Sequence, residues 1–366
     1  MASHKFALLT AAALASAGSL VACSSSDDST SSEATASQSA TEEETSSVEE
    51  EADPSSTDDA STADASESES SAPSVSVVTT TTMLGSVVGD IVACASPDST
   101  AITLMPVGAD PHDFSPSSAQ VADLVTSDLV VANGLMLEAG LEDALENAES
   151  DGATVLEVAP LLDPIPFGGK HGDEHGDEHG DEHGDEHGDG SEDPHFWFDM
   201  NRMATSAEII GAELAEDNGA VFAECGSKIA NEIRSAEQDV RALLESVPAD
   251  QRILITDHEA LGYLANVYGY EVAGTVIPSG STLAEPSSAD LVELVEVIED
   301  EGVQVIFANT ADPTTLAEAV AAEAGNDVQV VTLFVGSLGG PDSGAEDYVS
   351  MMLTNAELIS GALNAN

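Results

Sequence analysis

The stretch AVFAECGSKIANEIRSAEQDVRALLESV (220–247) decides how the rest of the chain divides. It holds no proline, and its apolar residues Ile229, Ile233, Val240, Leu243 and Leu244 mark one face, so it reads as one long helix. On its N-terminal side, short β-branched runs read as buried strands: VSVVTTTT (75–82), TAITLMPV (100–107), DLVVAN (128–133) and TVLEV (154–158). The alternation returns beyond it with RILITD (252–257), YEVAGTVI (270–277), VQVIFAN (303–309) and VQVVTLF (328–334). Helical stretches such as SSAQVADLVTS, MLEAGLEDALENAES, SSADLVELVEVIEDEG and PTTLAEAVAAEAG lie between them. Strands alternating with helices argue for parallel sheets, and two separated sets argue for two lobes. The expected fold is α/β, with an N-terminal lobe over 75–218, a linking helix over 219–248 and a C-terminal lobe over 249–366. Each lobe is expected to be a roughly four-stranded parallel sheet with flanking helices. A helical bridge is stiffer than a loop hinge, so large closure of one lobe on the other is not expected.

The N-terminus speaks to compartment. MASHKFALLTAAALASAGSLVAC combines Lys5, an apolar run and a small-residue box that ends in Cys23. It reads as a lipoprotein signal peptide over 1–22, cleaved before Cys23, which then carries the lipid. From Cys23 to residue 74 the chain is Ser, Thr, Ala, Asp and Glu with almost no large apolar residue. Such a segment cannot bury enough surface to offset its ordering entropy, so it reads as a disordered tether with a reach of about 40 Å. The protein is therefore expected outside the cytoplasm, held to the membrane through its lipid alone.

Acids outnumber bases 69 to 7, for a formal net charge of −62. The part expected to fold keeps the imbalance, its bases being Arg202, Lys228, Arg234, Arg241 and Arg252 beside the His-rich segment's Lys170. Nucleic-acid binding is excluded, because phosphate contacts need Lys and Arg. A saline setting suits such a surface, since salt screens its self-repulsion. Of the three cysteines, Cys94 and Cys225 remain once Cys23 is assigned to lipid. Outside the cytoplasm they are either a disulfide or two buried thiols, and the sequence leaves both open.

The nine histidines sort into groups. His4 leaves with the signal peptide. His171, His175, His179, His183 and His187 belong to an HGDE repeat within a His-rich loop over 170–194. A glycine every fourth residue opposes a helix, and the polarity opposes a strand. Clustered His, Asp and Glu read compositionally as an auxiliary, low-affinity metal tract. The remaining His112, His195 and His258 differ in context. His112 and His258 follow strands, at the edge where open α/β sheets bind ligands, and His195 leaves a loop just before a helix. Three neutral imidazoles converging from three segments suit zinc, copper, nickel or iron better than calcium or magnesium. Asp199 and Asp257 are placed either to orient imidazoles or to cap the helices that follow, and Trp197, Phe196 and Tyr263 read as packing residues.

MPVGADPHDFSPS (105–117), NGLMLEAGLEDAL (133–145), DPHFWFDM (193–200), TDHEALGYL (256–264) and YVSMMLTNAELISGAL (348–363) together resemble the substrate-binding lipoproteins of bacterial zinc and manganese ABC importers. The resemblance runs from about Val75 to Leu363. It implies two α/β lobes, a long linking helix, and a metal held between the lobes by His112, His195 and His258. It also implies a monomer that serves a cognate ABC permease and ATPase. One position departs from the pattern: where many members carry a ligand Asp after the last strand, TLFVGSLGG places Gly336. Water, Asp342 or Glu346 would then complete the shell. Losing a hard carboxylate tilts the expectation toward Zn2+ over Mn2+. The rivals are a zinc hydrolase and a metal-binding adhesin. The first lacks a His-Glu-x-x-His pair, with Glu259 the only nearby base, so a carrier rather than an enzyme is expected.

Overall fold

A computed structural model describes residues 72–168, 192–325 and 328–365. The signal peptide, Cys23, nearly all of the acidic tether and the five repeat histidines lie outside those residues. Two four-stranded parallel sheets form the frame. The first comprises β1 (Ser76–Thr79), β2 (Thr100–Thr103), β3 (Leu129–Ala132) and β4 (Val155–Glu157) in the order β2-β1-β3-β4. The second comprises β5 (Ile253–Thr256), β6 (Glu271–Thr275), β7 (Val305–Asn309) and β8 (Gln329–Leu333) in the order β6-β5-β7-β8. The two lobes thus repeat one topology, and each run read as a strand forms one.

The strands are shorter than their apolar runs, for local reasons. VSVVTTTT stops at Thr79 because Thr81 turns to cap α1 (Thr82–Ala95), its side chain accepting from the Leu84 N–H. TAITLMPV stops at Thr103, short of Pro106, which has no N–H to donate. Helix α1 is absent from the sequence reading. Gly85 and Gly89 lower its helix propensity, although Met83, Leu84, Val87, Val88, Ile91 and Val92 recur with helical spacing. Gly85 is where the helix meets the sheet: a Cβ there would stand 2.0 Å from Thr103 Oγ1.

The first lobe adds α2 (Ser118–Thr126) and α3 (Glu142–Ser150). The second adds α6 (Gly262–Tyr268), α7 (Ser288–Glu301), α8 (Thr315–Ala324) and α9 (Tyr348–Asn364). Between the sheets run α4 (Met200–Asn218) and α5 (Val221–Leu244), an antiparallel pair. They approach closely at Gly211 and Gly226, where a Cβ would lie 2.7 Å from Phe222 O and 2.5 Å from Ala207 O respectively. The expected long helix is α5, but it does not join the lobes alone. It packs on α4, α1 and α9, and α9 packs in turn on β8 and α1.

One buried cluster passes from Val77 in β1 through Met83 in α1, Ile210 in α4 and Ile233 in α5 to Leu254 in β5, Phe307 in β7 and Ile359 in α9. Smaller cores cover the outer faces: Leu124 and Leu145 against Val130 in the first lobe, Leu294 and Val320 against Ile306 in the second. Burial on both faces explains why the central strands β1, β3, β5 and β7 read as continuous apolar runs rather than alternating ones. A disulfide joins Cys94 of α1 to Cys225 of α5, resolving the alternative that the sequence left open. Among the described residues no helix is long and apolar enough to cross a membrane.

Candidate metal centre

Three segments deliver the three isolated histidines to one place. His258 leaves β5 directly, the strand on which the second sheet reverses its order, after Thr256, whose hydroxyl bonds the His258 carbonyl at 2.8 Å. His112 lies within the loop between β2 and α2, and its N–H donates to Asp110 Oδ1 at 3.0 Å. His195 opens a short 3-10 turn (Phe196–Phe198) before α4. One ring nitrogen from each lies within 4.8 Å of the other two, the one such group of metal-binding side chains among the described residues. Ring centroids stand 5.4 Å (112–195), 5.6 Å (112–258) and 5.3 Å (195–258) apart. The Nε2 atoms of His112 and His195 face one another at 3.3 Å. Nitrogens held about 2.0–2.1 Å from one ion in a tetrahedron would stand about 3.3 Å apart, so this edge needs no rearrangement to take zinc.

Orientation comes from a residue that the sequence reading did not single out. Asp193 is buried, and its Oδ1 accepts from the His195 N–H at 2.9 Å and contacts His195 Nδ1 at 2.7 Å. A proton held between Nδ1 and Asp193 leaves Nε2 with a free lone pair turned toward His112. Tyr263 of α6 seats this arm, its hydroxyl donating to Asp193 O at 3.0 Å and accepting from Ile165 N at 3.2 Å. Tyr263 is therefore more than packing. Burial pushes the Asp193 carboxyl up to about 8, opposed by the His195 N–H and by His258. Asp193→Ala is expected to weaken zinc binding about 10- to 100-fold, with Asp193→Asn less affected, in a chelator competition assay. Equal affinity in Asp193→Ala would sink this role.

Asp199, the other candidate for orientation, is instead a helix cap. Its side chain accepts from the N–H groups of Asn201 and Arg202 and pairs with the Arg202 guanidinium at 2.5 Å. Asp257 stands beside the third histidine, with Oδ1 lying 3.2 Å from His258 Nδ1. Burial lowers the His112 imidazole to about 3, aided by the nearby His195 and His258 and opposed by Asp110. Burial likewise holds His195 well below the usual range. His258 goes the other way: burial lowers it, but the bond and charge of Asp257 outweigh that and raise it. His258 thus holds a proton more readily than a free imidazole does. Zinc affinity is expected to fall as pH drops through the raised His258 value, with about one proton released per ion at pH 6. Calorimetric titration in buffers of different ionisation enthalpy reads that proton directly, and none released at pH 6 would contradict it.

The fourth position differs from the sequence expectation. Asp342 and Glu346 are exposed and stand outside the three-histidine group, and Glu346 Oε1 accepts from the Gly344 N–H at 3.4 Å. Gly336 sits against the first lobe, where a Cβ would lie 2.8 Å from Pro111 Cδ. The carboxylates closer by are engaged. Asp110 accepts from His112 N and the Thr282 hydroxyl, and Asp312 accepts from Asn309 Nδ2 at 2.6 Å. Burial and the neighbouring Asp110 raise Asp312 to about 6.

Two further arrangements hold the site. Glu138 fills the point where the first sheet reverses its order. It accepts from Thr80 Oγ1 at 2.6 Å, Asn133 N at 2.7 Å and Gly134 N at 3.2 Å, while burial raises its carboxyl. Asn133 Nδ2 then reaches Pro194 O at 3.0 Å, directly before His195. Trp197 lines the wall, as expected, with its ring 5.2 Å from that of His195 and Nε1 donating to Val335 O at 3.1 Å. The His-rich segment springs from a narrow neck beside these residues. Pro166 and Glu192 form an antiparallel bridge, and Asp193 N donates to Ile165 O at 2.7 Å.

Comparison with known proteins agrees with this geometry. The zinc-binding protein TroA of Treponema pallidum is 28% identical over 295 residues, 78% of this chain and 88% of that protein. Its solved structure superposes with a TM-score of 0.66 at 27% identity, covering 80% of this chain and 99% of that one. The manganese-binding lipoprotein MntA of Halalkalibacterium halodurans is 23% identical over 291 residues, 79% of this chain and 88% of the relative. PsaA of Streptococcus mitis, named as a manganese ABC transporter substrate-binding lipoprotein, is 22% identical over 287 residues, 76% of this chain and 87% of the relative. These relatives are binding proteins, not enzymes. A family model described as the periplasmic component A of a zinc-uptake complex, ZnuA, matches residues 77–362, and the chain belongs to that family.

Proposed function

We propose that the protein is an extracytoplasmic receptor that captures one divalent metal ion, zinc in preference to manganese, and delivers it to an ABC permease and its ATPase. The observation that carries this reading is the convergence of His112, His195 and His258 from three separate segments onto one point. Three imidazoles with no carboxylate among them favour the softer zinc ion over manganese. The function is capture and release, with no bond made or broken in the cargo. The signal sequence and Cys23 support a lipid anchor, with the acidic stretch that ends near residue 74 as tether; the receptor is taken as a monomer divided at 75–218, 219–248 and 249–366. Metal analysis of protein purified without added metal, followed by zinc and manganese titration, tests the choice. Zinc bound tightly at one ion per chain in the cleft is expected, and manganese binding of equal strength overturns it.

The repeat histidines 171, 175, 179, 183 and 187 are assigned a separate task, that of gathering zinc weakly beside the cleft. Removing residues 170–190 is expected to lower zinc stoichiometry in equilibrium dialysis while the tight site persists. Loss of the tight site on that deletion would mean that the two tasks are one.

A further inference from the structure

The three histidines are 5%, 1% and 2% exposed in chain order, so an ion held between them cannot leave until part of the wall moves. Two stretches of the second lobe close the wall against the first, and they are fastened very differently. The stretch after β8 is bound along its length. Trp197 Nε1 donates to Val335 O at 3.1 Å, Gly108 N to Ser337 Oγ at 2.8 Å, and Leu338 N to Thr82 Oγ1 at 2.9 Å. Val335 and Leu338 also belong to the core shared by both lobes. The stretch after β6, residues 277–285, contributes nothing to any core, and its Leu283 is 58% exposed. It meets the first lobe at two points. The Thr282 hydroxyl donates to Asp110 Oδ2. Gly280 lies under the Phe167 ring, where a Cβ would come within 2.1 Å of a ring carbon.

We infer that residues 277–285 form the strap through which the metal leaves, and that Thr282 and Gly280 are its two fastenings and set the release rate. Each fastening reaches a residue joined to a ligand. Asp110 also accepts the His112 N–H, so freeing it from Thr282 loosens the turn that presents His112. Phe167 stands edge-on to the His195 ring at 6.2 Å, so lifting Gly280 uncovers that imidazole. At its base the strap is tied only to the loop that bears His258, through Ile277 N to Asp257 O at 2.7 Å and Glu259 N to Ser279 O at 2.9 Å. It can therefore lift from the first lobe on its own, hinged at the loop that bears His258, while the side bound at 335–338 stays put.

The inference rests on the three-histidine reading, and its test separates the two. Zinc-loaded full-length protein is mixed with excess chelator and release is followed by stopped flow. Thr282→Val, which keeps the side-chain shape and removes the hydroxyl, is expected to release about tenfold faster, the effect of losing a hydrogen bond to a charged acceptor. Thr282→Ser restores the hydroxyl and is expected to stay within about twofold of the parent. Gly280→Ala displaces Phe167 and also speeds release, whereas Ser337→Ala on the opposite wall leaves it within about twofold. Release at the parent rate in both Thr282→Val and Gly280→Ala overturns the strap, as does faster release from Ser337→Ala than from Thr282→Val. His195→Ala in the same assay checks the foundation: if that variant still holds zinc as tightly as the parent, the histidine site itself is wrong.

Discussion

Replacing His195 with alanine is expected to lower zinc affinity more than about a hundredfold, a larger loss than any outer-shell change at this site. The size follows from what that imidazole contributes. Its Nε2 is oriented by the Asp193 contact on the opposite nitrogen and lies 3.3 Å from its counterpart on His112, so it enters coordination without reordering. Burial holds it neutral, so no proton need be displaced from it. With only three protein ligands, removing one leaves two, and solvent must supply the rest. His112→Ala and His258→Ala are expected to match it. Competition against a chelator of known affinity measures the effect, and a variant within about tenfold of the parent would refute the assignment.

Removal of the disulfide is expected to produce the largest loss of stability from any single change outside the site. Cys94 and Cys225 are 131 residues apart in sequence and join α1 to α5, the two helices on which the shared core is built. Closing so long a loop restricts the unfolded chain, and its loss costs about 2–5 kcal/mol. For a domain of this size that is a fall of roughly 5–15 °C in melting temperature. Scanning calorimetry of the Cys94→Ala, Cys225→Ala double variant reads it, and a fall under about 2 °C would show that the helices hold without the bond.

Much of the fold is legible in the sequence because central parallel strands buried on both faces leave continuous apolar runs, and all eight runs read as strands form strands. Helix α1 has a stripe at Met83, Leu84, Val87, Val88, Ile91 and Val92, but Gly85 and Gly89 lower the helix propensity of the segment that carries it. The three-histidine group is legible because few histidines stand outside the repeat, so His112, His195 and His258 have little competition. Their supports are not. Asp193 looked like part of an acidic run, and Glu138 like one acid of a helix, yet both are buried and bonded. Burial, which separates them from their exposed neighbours, is a property of the folded chain alone. The surroundings of Gly336 are hidden for the same reason. Asp342 and Glu346 are near Gly336 in sequence, but they face solvent rather than the histidines.

The neck formed by Pro166 and Glu192 has a consequence for how this chain can vary. Its pairing, the Ile165–Asp193 bond and the grip of Asp193 on His195 all use residues outside the run of HGDE units. Copies of that four-residue unit can therefore be gained or lost, as repeats readily are when DNA is copied, with the anchor points in register. Related strains are free to differ in the number of tandem units while each keeps the same capture geometry.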